Sequence, residues 1–371
     1  MKYVDEFRDP KLARNLAAHI KAEANPERSY ALMEFCGGHT HAIFRYGVQD
    51  LLPANVRMVH GPGCPVCVLP MGRVDLAVKL ATEHNVIVCT YGDLLRVPGS
   101  NRQSLYKARA DGADVRMVYS SLDALAVARN NPQKEVVFFA IGFETTTPPT
   151  AIAIKQAAAE DLKNFSVVCN HVLTPAAMNG ILATEEIQID GFVGPAHVSA
   201  VTGTQAFEPF PAEYAKPVVI AGFEPLDVMQ AVLMLIRQVN EGRAVVENEY
   251  TRVVTREGNL KAQDVMAEIF DLRDSFEWRG LGAMPDSALK IRDAYAAYDA
   301  EIKFNLSTPK VDDHPGCACP DILRGIKGPL DCKLFGKACT PDNPIGACMV
   351  SSEGACAAYY TYARARGTKT P

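Results

Sequence analysis

Between Ala31 and Ala221 the chain alternates short apolar runs with helical patterns, and this alternation leaves few folds open to it. The runs Ala31–Phe35, Val56–His60, Val86–Thr90 and Val115–Tyr119 predict strands, with helices at His41–Leu51, Met71–His84 and Gln103–Asp111 between them. The pattern then repeats. Strands at Val136–Ile141, Ser166–Asn170, Gly191–Val193 and Pro217–Ala221 are separated by helices near Thr147–Asp161, Pro175–Glu185 and His197–Phe207. Strand–helix–strand order at this spacing predicts an α/β fold with parallel sheets and right-handed crossovers.

The two halves echo each other. Gly61-Pro62-Gly63-Cys64 is similar to Gly194-Pro195-Ala196-His197, and Gly142-Phe143-Glu144 recurs as Gly222-Phe223-Glu224. Two similar Rossmann-like, parallel-sheet domains are therefore expected, at 27–120 and 121–223. Ahead of them, Asp9 fits an N-cap and Pro10 the first helical position, with Leu12, Leu16, Ala17 and Ile20 on one apolar face. This helix, within 1–26, is expected to pack on a third, helical and loop-rich domain at 224–371. That domain shows helices at Val228–Glu241 and Asp286–Ala300, and from Pro309 it turns loop-rich and cysteine-rich. The last segment cannot build a core of its own, so something besides apolar burial must organise it.

Charge excludes some functions. Lys plus Arg number 38 against 43 Asp plus Glu, a net charge of −5, so nothing draws the chain as a whole to nucleic acid or an anionic membrane. No apolar stretch approaches the ~20 residues of a spanning helix, and Met1-Lys2-Tyr3-Val4-Asp5-Glu6 contains no apolar signal region. A cytoplasmic protein is expected.

The unusual count is eleven cysteines. A chain of this size needs no disulfide staples. Six of the eleven lie between Cys317 and Cys356, three sit in glycine-rich turns at Cys36, Cys64 and Cys67, and Cys89 and Cys169 read as ordinary buried thiols at strand ends. Such clusters point to metal or redox chemistry. The tail runs Cys317-x-Cys319, then Cys332, Cys339, Cys348 and Cys356, punctuated by prolines and glycines. Irregular backbone can aim several thiolates at one point, and iron–sulfur clusters and zinc both take four. Zinc ribbons usually carry paired Cys-x-x-Cys knuckles, which this segment lacks, so an iron–sulfur cluster is favoured over zinc or disulfides. Two cysteines remain beyond any set of four.

Three further motifs follow strands, where doubly wound folds place their ligand crevice. Glu34-Phe35-Cys36-Gly37-Gly38-His39-Thr40-His41 puts a thiol at a helix N-terminus, which predicts a lowered pKa, with glycines that permit close approach and two histidines able to donate or ligate. His60-Gly61-Pro62-Gly63-Cys64-Pro65-Val66-Cys67 contains a Cys-x-x-Cys, whose spacing allows a reversible disulfide or two ligands to one metal. Gly142-Phe143-Glu144-Thr145-Thr146-Thr147 offers Glu144 as an acid or polar crevice residue, or only a helix cap. His171 and His197 read as satisfied polar residues. The phosphate-cradling glycine motifs of standard nucleotide sites are absent.

Taken together, Cys36-Gly37-Gly38-His39-Thr40-His41, Gly61-Pro62-Gly63-Cys64-Pro65-Val66-Cys67, Gly142-Phe143-Glu144-Thr145-Thr146 and the tail Cys339-Thr340-Pro341, Cys348-Met349-Val350-Ser351 and Glu353-Gly354-Ala355-Cys356 resemble the HypD family of hydrogenase maturation proteins, nearly end to end. The resemblance implies a scaffold on which the iron dicyanide–carbonyl moiety, Fe(CN)2CO, of NiFe hydrogenase is assembled. It implies a small HypC-type chaperone as partner and a HypE-type cyanide donor, with HypF upstream. It implies two similar α/β domains and a third holding a 4Fe-4S cluster. Carried over by position, Cys36 is the leading iron ligand, shared with a cysteine of the HypC-type partner. Cys64 and Cys67 are a thiol pair beside it, either redox-active or ligating iron. Cys317, Cys332, Cys339 and Cys356 hold the cluster, which leaves Cys319 and Cys348 as a second redox pair. The chemistry agrees: iron carrying cyanide and carbon monoxide favours soft thiolates, and anionic cyanide accepts hydrogen bonds from donors such as His39 and His41. The main rival is an iron–sulfur-dependent thiol–disulfide oxidoreductase, which leaves Cys36 and its histidines without a role.

Overall fold

A strand buried on both faces belongs at the centre of a parallel sheet, and every residue of Val136–Gly142 is buried. The computed structural model describes residues 5–184 and 188–364. In chain order its strands are β1 (Tyr30–Glu34), β2 (Val56–His60), β3 (Ile87–Thr90), β4 (Val115–Met117), β5 (Val136–Gly142), β6 (Phe165–His171), β7 (Gly191–Pro195), β8 (Val218–Ala221), β9 (Val246–Asn248), β10 (Phe270–Leu272), β11 (Ser275–Trp278), β12 (Gly282–Pro285) and β13 (Leu289–Ile291). Strands β4-β3-β5-β6 form one parallel sheet and β2-β1-β7-β8-β9 a second. The expected α/β layout of two Rossmann-like parallel sheets is present, and all eight expected strands form.

The strands do not divide between the sheets at residue 120. The chain opens the five-stranded sheet with β1 and β2, leaves to build the whole four-stranded sheet, and returns with β7. So β3 and β4 pair with β5 and β6, while β7 and β8 join β1. Alternation specifies parallel pairing but not which strand is the neighbour. The Gly-Pro echo is likewise no repeat of one sheet in the other: Gly61 follows β2 and Gly194-Pro195 end β7, both in the five-stranded sheet.

Asp9 caps the Pro10–Glu23 helix, accepting from the backbone N–H of Lys11 (2.7 Å) and Leu12 (3.0 Å). Through Ala13, Leu16, Ala17 and Ile20 it packs on the Pro225–Glu241 helix, and Arg237 grips Glu23 at 2.7 Å. That partner helix also lies against β7 and β8 as a layer of the five-stranded sheet. The helix expected at His41–Leu51 begins earlier and breaks. Gly37–Tyr46 is followed by Val48–Leu51, with Gly47 between them at φ 66°, a left-handed conformation that favours glycine. The expected helix at Asp286–Ala300 is not formed. Leu289 and Ile291 pair with β10 and are buried there, and only a 3-10 turn (Asp293–Tyr298) and a short helix (Ala300–Lys303) follow. Tertiary burial overrides the helical propensity of this alanine- and tyrosine-rich stretch. The expected end of one helix at Glu185, and the outermost parts of the segments 1–26 and 224–371, lie outside the described residues.

The cysteine-rich tail builds no separate core. Ile322, Leu323, Ala347, Met349, Val350, Ala355 and Ala357 join one continuous apolar cluster with Met33 and Phe35 of the first sheet and Val137 and Phe139 of the second. Apolar burial against both sheets therefore organises much of the tail, contrary to expectation. Phe139 sits where these parts meet. Phe139→Ala is expected to destabilise the protein by about 3–5 kcal/mol, read as a lower urea midpoint.

Candidate functional site

In the five-stranded sheet the chain runs from β1 outward to β2 on one side, whereas β7 lies on the other. The carboxyl ends of β1 and β7 thus flank the topological switch point, where open α/β sheets leave a crevice. Cys36 emerges there as the N-cap of the Gly37–Tyr46 helix, half-buried.

Parallel pairing puts Glu34, the last residue of β1, opposite His60, the last of β2. The fully buried Glu34 carboxylate accepts from the Cys36 backbone N–H (2.8 Å), from His60 Nδ1 (2.8 Å) and from the Thr40 hydroxyl. One carboxylate therefore ties Cys36, its helix and the Cys-x-x-Cys loop together. The thiol does not have the lowered pKa expected of a helix N-terminus. Burial pushes it well above the usual range, helped by Glu353 and then Glu34, and the N–H groups of Gly38 and His39 offset only part of this. The two glycines admit protein side chains. A Cβ at Gly37 would overlap Glu353, and one at Gly38 would overlap the Phe223 ring.

Cys64 and Cys67 are buried and joined by a disulfide at the start of a short helix, Pro65–Val68. Their loop lies against Cys36: Gly37 N–H donates to the Gly63 carbonyl (3.1 Å), and a Cβ on Gly63 would run into the backbone of Phe35 and Cys36. The two motifs thus meet at one sheet edge. The histidines diverge. His39 is fully buried and its Nε2–H donates to the carbonyls of Ala221 and Gly222, both at 3.0 Å. Burial holds its pKa down, so the ring is neutral and Nδ1, which has no partner, can only accept. In this tautomer His39 anchors its helix to the end of β8 and has no proton to offer a ligand. His41 lies at the surface of the tail, its Nδ1 3.4 Å from the Ser352 carbonyl and its ring 5.1 Å from that of Tyr362.

Glu144 stands apart from this group. It is buried beyond β5 and accepts from Thr174 through both the backbone N–H (2.8 Å) and the hydroxyl (2.9 Å). Burial pushes its pKa up to about 7. His171 is only half satisfied: its Nε2 lies 2.9 Å from the Thr150 hydroxyl, while its buried Nδ1 has no partner.

The six tail cysteines share one neighbourhood. Cys319 and Cys348 bring their sulfurs to 2.6 Å, and Gly346 passes so close that a Cβ there would lie 2.6 Å from the Cys317 sulfur. Cys339 accepts from the Ile345 N–H at 3.3 Å. Burial raises the Cys356 thiol, which also feels the sulfurs of Cys319, Cys339, Cys317 and Cys332. As a donor set, soft sulfurs with backbone N–H groups beside them suit an iron–sulfur cluster, although among the described residues no three or more His, Cys, Asp or Glu side chains form a ready-made metal group. The tail is joined to the Cys64–Cys67 loop by the buried Arg279. Its backbone N–H and Nε donate to the carbonyls of Val68 (2.8 Å) and Leu69 (3.0 Å), and its Nη1 pairs with Asp313.

Over residues 11–363 the sequence matches the family described as "HypD: Hydrogenase formation hypA family". The chain belongs to the HypD family. It is 66% identical to the hydrogenase maturation factor HypD of Azotobacter vinelandii, across 99% of this chain and 98% of that one. It is 64% identical to the hydrogenase maturation factor HypD of Cupriavidus necator, covering 98% of each chain. The hydrogenase maturation factor HypD of Escherichia coli K12 is 47% identical, again over 98% of each.

Sequence reasoning passed over several residues that shape the site in this HypD-family chain. Glu34, Thr40 and His60 lie inside the motifs, and the signal was a carboxylate and an imidazole closing two otherwise apolar strands. Glu353 and Phe223 gave no such signal, because only the tertiary fold sets them against Gly37 and Gly38.

Two outcomes follow from these contacts. Gly63→Ala is expected to force Cys36 and the Cys64–Cys67 loop apart, at a cost of about 1–3 kcal/mol. A lowered melting temperature together with faster alkylation of Cys36 would check it. For Glu144, a folded pKa of about 7 lies above the usual carboxylate value. Its contribution to stability is intact below pH ~4.5 and is lost as pH rises through 7. Glu144→Gln should therefore be relatively more stable than the parent at pH 8 than at pH 4.5, by up to about 3 kcal/mol, measured by denaturant unfolding at both pH values.

Proposed function

We propose that this chain is a hydrogenase maturation factor acting in the cytoplasm as a scaffold for the Fe(CN)2CO moiety of NiFe hydrogenase, with Cys36 as the thiolate that takes the iron. The observation that carries this reading is Cys36 at the switch point, backed by the Glu34 carboxylate and flanked by the Cys64–Cys67 loop. The environment suits a cation better than a proton-free thiolate. Burial, Glu353 and Glu34 keep the thiol protonated, while the same carboxylates favour an incoming iron ion, which displaces the thiol proton as it binds. A cysteine of a small HypC-type chaperone completes the iron's thiolate set, and a HypE-type protein, served by HypF, brings cyanide. Backbone N–H groups of Gly38 and His39, rather than the His39 ring, are the donors nearest the thiol.

Cys64 and Cys67 serve as a reversible redox pair: two electrons and two protons open the disulfide to two thiols, and their loss closes it. Cys319 and Cys348, with sulfurs at 2.6 Å, form a second such pair. Cys317, Cys332, Cys339 and Cys356 would hold a 4Fe-4S cluster, which supplies one-electron chemistry when bound. The Cys64–Cys67 bond also favours a second reading, a thiol–disulfide oxidoreductase. That reading predicts iron at the tail alone.

The test is infrared spectroscopy on protein copurified anaerobically with its small partner. Cyanide and carbonyl bands are expected, and Cys36→Ala should abolish them while leaving the brown colour of about four tail irons. Bands of undiminished intensity in that variant would exclude Cys36 as the ligand, and a parent protein with tail iron but no bands would favour the oxidoreductase. Cys332→Ala or Cys339→Ala should bleach the protein, and a colourless, zinc-containing parent would contradict the cluster assignment.

A further inference from the structure

Away from Cys36, two arginines converge at the carboxyl end of β6, beside a cavity of about 480 Å³. Arg73, in the Met71–Glu83 helix, is almost fully buried. Its Nη2 donates to the Glu301 carboxylate (2.7 Å) and the Cys169 carbonyl (3.2 Å), its Nη1 to the Thr308 hydroxyl (2.9 Å), and its Nε to the Asn170 side chain. Arg273 comes from the turn between β10 and β11. Its Nη2 donates to the same Glu301 oxygen (2.6 Å) and the same Cys169 carbonyl (3.2 Å), and its Nε to the Leu289 carbonyl (3.0 Å). Both guanidiniums lie over the Phe276 ring, 5.6 and 6.0 Å from its centre. The chain then brings a third cation to the cavity. The Pro309 carbonyl crosses Gly72 so closely that no Cβ would fit, and Lys310 follows on the cavity wall.

Two cationic side chains in this arrangement keep donors that no protein group uses. Arg73, Arg273 and Lys310 line the cavity with Glu301 and Glu277, and Asp299 acts on Arg273 from outside the lining. Glu301 uses one oxygen for both guanidiniums. Nη1 of Arg273 and the Lys310 ammonium have no hydrogen-bond or ion-pair partner among the described residues. A rigid guanidinium fork beside a free ammonium, in a cavity the size of a small-molecule site, is the arrangement that recognises phosphate and carboxylate oxygens. Open α/β sheets also place ligands beyond the carboxyl ends of their strands.

We propose that this cavity binds a compact, multiply charged oxyanion, gripped by Arg273 and Lys310 and supported from behind by Arg73. The site is separate from the iron chemistry at Cys36 and does not depend on it. Isothermal titration calorimetry on the full chain, at constant ionic strength, tests it with two probes, inorganic phosphate and malonate. Saturable one-site binding of at least one is expected, and the tighter of the two identifies the class as phosphate or dicarboxylate. Lys310→Gln should weaken that binding at least tenfold with an unchanged melting temperature, because Lys310 is exposed and bonds to nothing in the protein. Arg273→Gln should weaken it at least as much. If neither probe binds, or if Lys310→Gln binds as tightly as the parent, the assignment is wrong.

Discussion

The buried carboxylate of Glu34 is the contact on which the candidate site depends. Parallel register sets it beside His60, and the turn after β1 brings Cys36 and Thr40 back to it. A carboxylate this deep is tolerated only when its oxygens are satisfied, and here the partners that satisfy it belong to both cysteine loops. Without it, the Cys36 turn and the Cys64–Cys67 loop would share a sheet edge with no common polar anchor, and the neighbouring backbone would need new partners for its N–H groups.

The same carboxylate, with Glu353, gives the thiol its electrostatic character. A helix N-terminus lowers a thiol pKa when the thiol is solvated and faces positive charge. At Cys36 burial and two carboxylates outweigh the two N–H groups. A protonated resting thiol resists adventitious oxidation, since the thiolate is the reactive form. The site thus holds a thiol rather than a free thiolate.

The tail shows how a cysteine-rich, loop-rich segment is held in a large chain. Its apolar residues enter the core shared by both sheets. Arg279 bonds the Val68 and Leu69 carbonyls on one side and Asp313 on the other. The sulfurs of Cys319 and Cys348 and the Cys64–Cys67 disulfide are therefore parts of one packed unit. Any ligand bound by the tail adds to a fold that already exists, unlike small metal domains in which the metal supplies most of the folding energy.

Local pattern determined eight of the nine strands of the parallel sheets, the Asp9 cap and the positions of the cysteine loops, because periodicity and turn chemistry act over a few residues. The family, too, was legible from motif order alone. Which strands pair was not: the alternation reads the same whether β3 lies beside β1 or beside β5, and the choice rests on burial between elements distant in sequence. The Asp286–Ala300 stretch reads as helix because its propensity is local, while the pairing of Leu289 and Ile291 with β10 is not. At the site, sequence placed Cys36, Cys64 and Cys67 correctly at one edge. Tertiary structure alone turned His39 inward to the β8 carbonyls, took Glu144 to Thr174, and set Glu353 beside the thiol. The reason is physical: spacing along a chain fixes which loop a side chain occupies, but its proton, its charge and its partner are set by whatever the fold buries against it.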